Sequence, residues 1–119
     1  MRTTAEVIER YNAAFQNHDP ALLEGLLAED CFIENTVPAP LGARHQGRAA
    51  CLALWQQIAA APGTWFDIED VEISGERAII RWHYHWGEDA AASVRGVNLM
   101  RVQDGLIVEA RGYVKGPGH

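Results

Sequence analysis

Residues 65 to 114 read "WFDIEDVEISGERAIIRWHYHWGEDAAASVRGVNLMRVQDGLIVEARGYV". Four β-rich runs are separated by short turns, at Ser74-Gly75-Glu76, Gly87-Glu88-Asp89 and Gln103-Asp104-Gly105. The runs are Trp65 to Ile73, Arg77 to Trp86, Ser93 to Val102 and Leu106 to Val114, and each alternates in the way a pleated strand does. Links this short join antiparallel neighbours and leave no room for crossovers, so a doubly wound parallel sheet is excluded. The expectation is an antiparallel meander filling the second half of the chain.

Upstream the spacing turns helical. Thr3 followed by Glu6 is a capping box, and Val7, Ile8, Tyr11, Ala14 and Phe15 recur on one helical face over about 3–17. Asp19 and Pro20 suit a helix start, so the leucines at 22, 23, 26 and 27 predict a second helix to about Glu29. Cys31 to Asn35 is a strand candidate, closed by the loop "TVPAPLGARHQG". A third helix runs from Arg48 to Ala61, carrying Leu52, Trp55 and Ile58, and Pro62-Gly63 stops it. Helices in front and antiparallel strands behind predict an α+β fold, with helices covering one face of a curved sheet.

Composition narrows the class. A chain of 119 residues with 48% hydrophobic and 22% charged residues is expected to form one domain over 1–119, with 115–119 as a flexible tail. The net charge of −6, with ten scattered Lys and Arg, argues against a nucleic-acid partner. Cys31 and Cys51 form no CxxC motif, no leader pattern opens the chain, and no apolar run nears the roughly 20 residues of a membrane span. A cytoplasmic protein with free, buried thiols, and with no membrane partner, is expected.

The sequence resembles the nuclear transport factor 2-like superfamily, in its SnoaL-like and ketosteroid-isomerase-like branch. The likeness covers nearly the whole chain. "VIERYNAAFQNHDPALLEGLLAEDCFIEN" is similar to that group's opening helices and first strand, Gly47 precedes the third helix, and "RGVNLMRVQDGLIVEARGYVKG" is similar to its closing hairpin. The resemblance implies a cone-shaped, cystatin-like curved sheet behind three N-terminal helices, and a pocket for a small organic molecule, with no cofactor. Homodimers are common on this scaffold.

Ketosteroid isomerase works with an Asp base and an oxyanion hole of Tyr and protonated Asp. The resemblance places its Tyr on Tyr11, its base on Asn35 and its hydrogen-bonding Asp on Asn98. Asn35 accepts no proton at useful pH, whereas Tyr11 and Asn98 still offer hydrogen bonds to a carbonyl or enolate oxygen. The Asp–Arg–Asp set of limonene epoxide hydrolase is not reproduced.

Residues 81 to 86, "RWHYHW", pose the remaining question, because alternate side chains of a strand point to opposite faces. Composition alone sends Trp82, Tyr84 and Trp86 to the core and Arg81, His83 and His85 to solvent. The family register, counted back from Asn98, implies the reverse. On that register Arg81, His83, His85, Asn98 and Met100 line the pocket, and Trp82, Tyr84 and Trp86 form an outer dimer face beside Arg95 and Arg101.

The expected site then has Tyr11 and Asn98 stabilising oxygen charge and His83 or His85 moving protons, since an ordinary imidazole titrates near 6.5. Asn35, Arg81, Met100 and Trp55 are the expected substrate-binding residues. Glu34, Asp67, Glu69 and Glu72 are the carboxylates near enough to strands to replace the base. His83 and His85 with His45 would make a metal set only with an acidic or Cys partner at a recognisable spacing, so no metal is expected. The expected activity is a cofactor-independent isomerase, cyclase, dehydratase or hydrolase acting on a small carbonyl, hydroxy or epoxide compound. The alternative is a non-catalytic binding or dimerisation module of the same fold.

Overall fold

A computed structural model describes residues 1–116 of the chain. Helix α1 spans Thr4–Gln16, and its capping box forms as the residue types require, with the Thr3 hydroxyl accepting from the Glu6 N–H and the Glu6 carboxylate accepting from the Thr3 N–H. Its buried stripe, Val7, Ile8, Tyr11, Ala14 and Phe15, follows the 3.6 period. Helix α2 spans Arg48–Ala60 and buries Cys51, Trp55 and Ala59, spaced four apart. Of the tail expected to fray, residues 117–119 lie outside the described residues. Lys115 still donates its backbone N–H to Arg95 O at 2.8 Å.

The second helix does not form. Only a 3-10 turn, Pro20–Leu23, appears, and β1 already starts at Leu27 and runs to Glu34. Gly25 takes φ +78°, a left-handed step that no right-handed helix continues through. Side chains from both helices satisfy the segment's carbonyls: Arg10 Nε donates to Leu22 O, Gln56 Nε2 to Pro20 O and Arg48 Nε to Leu27 O. The four leucines are still buried or half-buried, but from a turn and a strand.

The remaining strands are β2 (Arg44–Gln46), β3 (Trp65–Ser74), β4 (Arg77–His85), β5 (Ser93–Gln103) and β6 (Leu106–Val114). They build one sheet in the order β2-β1-β6-β5-β4-β3. The predicted meander is present, and its turns use Gly75, Asp104 and Gly105 at positive φ. Two features are new. The proline-rich loop returns as the edge strand β2, and β1 lies parallel to β6, so the sheet is mixed and not wholly antiparallel. The class is α+β. No helix among the described residues is long and apolar enough to cross a membrane.

Register decides which face the helices cover. Ile80 opposes Asn98, Trp82 opposes Gly96 and Ala78 opposes Met100. The even-numbered residues of β4 therefore share a face with Asn98 and Met100, and that face lies under α1: Phe15 meets Phe66 edge-on at 5.6 Å, and Phe66 meets Trp82 likewise. Ala78, Ile80 and Trp82 are all at least 93% buried. Arg81, His83 and His85 point away from the helices, opposite Val97, Arg95 and Ser93. The expected inward histidines are corrected to outward ones, and the expected outer stripe of Trp82 and Tyr84 is corrected to an inner wall. Covering a face with helices rewards indole and phenol rings far more than imidazole and guanidinium groups.

Candidate functional site

The cone encloses a cavity of about 490 Å³, within the range typical of small-molecule sites. Helix α1 contributes Tyr11, Asn12 and Phe15, and α2 contributes Leu54, Trp55, Gln57 and Ile58. The sheet contributes Phe66, Ile80, Trp82, Tyr84, Val94, Asn98 and Gly112, and the chain after β1 closes one side with Asn35, Thr36 and Val37. The walls are mostly apolar and aromatic. Tyr11 sits among them, edge-on to Trp55 at 4.9 Å and 56° tilted from Phe15.

One directed hydrogen-bond relay crosses this wall. Trp82 Nε1 lies 3.2 Å from Asn98 Oδ1, and Asn98 Nδ2 lies 3.1 Å from the Tyr11 hydroxyl oxygen. An indole N–H only donates, so it orients the Asn98 amide with its oxygen toward Trp82 and its NH2 toward Tyr11. Tyr11 oxygen is then an acceptor from Asn98, and its own proton is left for the cavity. Burial pushes the Tyr11 hydroxyl well above the ordinary phenol range, only partly offset by the Asn98 hydrogen bond, so the proton stays on. Tyr11 is a held donor and not a base.

Of the expected site residues, Tyr11, Asn98, Asn35 and Trp55 line the cavity together. Met100 is fully buried on the same sheet face but does not line it. Arg81, His83 and His85 lie on the opposite face, which removes the proposed proton carriers from the cavity. There Arg81 pairs with Asp70 at 3.1 Å, His83 Nε2 meets Ser93 Oγ at 2.8 Å, and His85 meets Asp67 at 2.9 Å while stacking on Trp65.

The carboxylates fare no better as bases. Asp67 and Glu69 engage His85 and Arg95 on the outer face, and Glu72 is exposed opposite Ile79. Glu34 contributes to the cavity rim, but its carboxylate is bonded to Arg111. No imidazole, and no carboxylate free of a cationic partner, faces the cavity among the described residues. Nor does any group of three or more His, Cys, Asp or Glu come together to hold a metal. Cys31 and Cys51 are free and buried, and burial, with the Cys51 contact, pushes the Cys31 thiol up to about 12.

Sequence reasoning missed Trp82 and Tyr84 as lining residues. A partial signal was present, since Ala78 and Ile80 share their parity, but Ile79 on the other face kept alternation from deciding which side is buried.

A family model described as SnoaL-like domain matches residues 8–110. Among solved structures, an NTF2-like protein of unknown function from Mesorhizobium loti is 63% identical, with 95% of this chain and 91% of that one covered and a TM-score of 0.88. A protein with a cystatin-like fold from Xanthomonas campestris is 26% identical over 97% of this chain and 92% of its own, with a TM-score of 0.73. A provisionally assigned ketosteroid isomerase from Kribbella flavida shares 20% identity, 98% and 80% coverage and a TM-score of 0.78, a likeness of fold alone. No curated protein matches the chain.

Proposed function

The chain belongs to the SnoaL-like domain family, and from that premise we propose that it binds an uncharged, largely apolar small molecule through an acceptor oxygen, most simply a ketone carbonyl. The observation that carries this reading is the relay from Trp82 through Asn98 to Tyr11, in which the Tyr11 oxygen accepts from Asn98 and its own proton remains available to a ligand in a mostly apolar cavity. Such a wall favours a neutral ligand, because a charged one would be desolvated without a partner. Two free, buried thiols support a cytoplasmic location.

Deoxybenzoin, a diaryl ketone, and diphenylacetate, an anion of similar size, separate the outcomes when titrated against tryptophan fluorescence. The ketone is expected to bind and the anion to bind far more weakly. Tyr11→Phe is expected to weaken ketone binding by roughly 3- to 10-fold, the worth of one hydrogen bond. Equal binding of the anion, or an unchanged affinity in Tyr11→Phe, would sink the reading.

A second reading, as an acid–base enzyme, is supported by the same donor. A phenol held protonated beside a carbonyl oxygen stabilises the negative charge of an enolate. In this cavity the base would have to be water or a group on the substrate, since Asn35 is no base and both histidines lie outside. Exchange of the methylene protons of deoxybenzoin in D2O, followed by NMR, decides the point. Exchange above the buffer rate that disappears in Tyr11→Phe supports catalysis; exchange at the buffer rate supports a binding module.

A further inference from the structure

Among the described residues Asn12 is the one amide or charged side chain buried beyond nine-tenths, at 8% exposed. It stands in the middle of α1, where asparagine is one of the weaker helix formers. Ile8, one turn back, and Phe15, one turn on, share its side of the helix, and both are buried. An apolar residue would serve that stripe better. Asn12 is also part of the cavity wall, beside Tyr11 and Phe15.

Its amide is unspent. Asn98 accepts from Trp82 and donates to Tyr11, whereas the Asn12 side chain has no hydrogen-bond partner among the described residues. None of their fully sealed side-chain polar atoms lacks a partner. The Asn12 amide therefore keeps contact with open space, and the open space that Asn12 borders is the cavity. A buried amide left unpaired costs free energy, and a ligand that pairs it recovers that cost.

We infer that Asn12 is a second polar contact for the ligand, so that the molecule bound here carries a hydroxyl set apart from the oxygen that accepts from Tyr11. A carboxamide both donates and accepts, which suits a hydroxyl, and a charged group in its place would be desolvated without an opposite charge. This rests on the reading of the cavity as a site for an acceptor oxygen, and it adds a specificity-determining residue and the group that residue selects.

Deoxybenzoin and its three isomers hydroxylated at the ortho, meta or para position of the benzyl ring test the contact, since together they move one hydroxyl through the cavity on a constant frame. At least one isomer is expected to bind the wild type roughly 3- to 10-fold more tightly than deoxybenzoin. Asn12→Leu keeps the branching of the side chain and removes its polarity. In that variant the ratio of the two affinities is expected to fall to about one, whatever becomes of each affinity alone. Its urea midpoint without ligand is expected to rise, because an unpaired amide has been replaced by a hydrocarbon of like shape. A wild type that prefers none of the isomers, or a preference that survives in Asn12→Leu, overturns the contact and spares the cavity reading. So does a lower midpoint or a failure to fold in Asn12→Leu, which would show that the amide serves the fold. Failure of deoxybenzoin and all three isomers to bind overturns both.

Discussion

Trp82 does two jobs with one ring. Its apolar body roofs the sheet, and its single N–H sets the direction of every hydrogen bond downstream. Gly96 makes this possible, because Cη2 and Cζ2 of the indole occupy the place where a Cβ would stand. Gly96→Ala is expected to destabilise the fold by about 1–3 kcal/mol through overpacking, read as a lower urea midpoint. Trp82→Phe tests the relay with less disturbance. It keeps the apolar body and removes the donor, so the Asn98 amide is free to turn over and ketone affinity is expected to fall toward that of Tyr11→Phe. An unchanged affinity in Trp82→Phe would mean that Tyr11 is oriented by something other than this relay.

At the scale of elements, β5 and β6 are joined on their outer face by one carboxylate. Glu109 lies 3.2 Å from Arg101 Nε and 2.9 Å from Arg111 Nε, with Arg77 at 3.9 Å. Partial burial would raise its pKa, but the hydrogen bonds from Arg111 and Arg101 outweigh that and hold it below the usual 4.5. A carboxyl whose folded pKa is depressed contributes stability above its unfolded pKa and loses it as pH falls through the folded value. Glu109→Gln is therefore expected to cost about 1 kcal/mol at pH 7, modest because solvent screens the cluster. Its denaturation midpoint should converge with that of the wild type as the pH is taken below 4. A constant difference between the two proteins across that range would show that the loss comes from packing and not from charge.

For the molecule as a whole, charge is divided unevenly between its two sides. On the outer sheet face Arg77, Arg81, Arg95, Arg101 and Arg111 nearly balance Glu34, Asp67, Glu69, Asp70, Glu72 and Glu109, so the helical side and the loops carry almost all of the net −6. Ile79, Val97, Leu99 and Tyr113 form an apolar patch in the middle of that balanced face, with Ile79, Leu99 and Tyr113 more than a third exposed. We propose that a second copy covers it, since two copies meeting there face little net repulsion and bury apolar surface. The proposed interface keeps its place on the outer sheet face, with Val97 and Leu99, and loses Trp82 and Tyr84, which point inward. Light scattering behind a sizing column is expected to give a dimer for the wild type and a monomer for Leu99→Asp; a wild-type monomer at micromolar concentration rules the interface out.

The amino-acid sequence by itself determined the meander, the two long helices, the capping box, and the cavity partners Tyr11, Asn98, Asn35 and Trp55, because these rest on local periodicity and on residue matches that carry their own position. It misjudged the leucine-rich segment, where spacing fitted a helix and one glycine's backbone decided otherwise. It also left open the face of "RWHYHW", and with it the supposed base. Alternation identifies two faces of a strand but labels neither, and here both carry apolar residues, Ile80 and Trp82 on one side and Ile79, Val97 and Leu99 on the other. Only the packing of α1 over the even-numbered face chose between them: desolvating aromatic rings there is favourable, while burying arginine and imidazole without partners is costly.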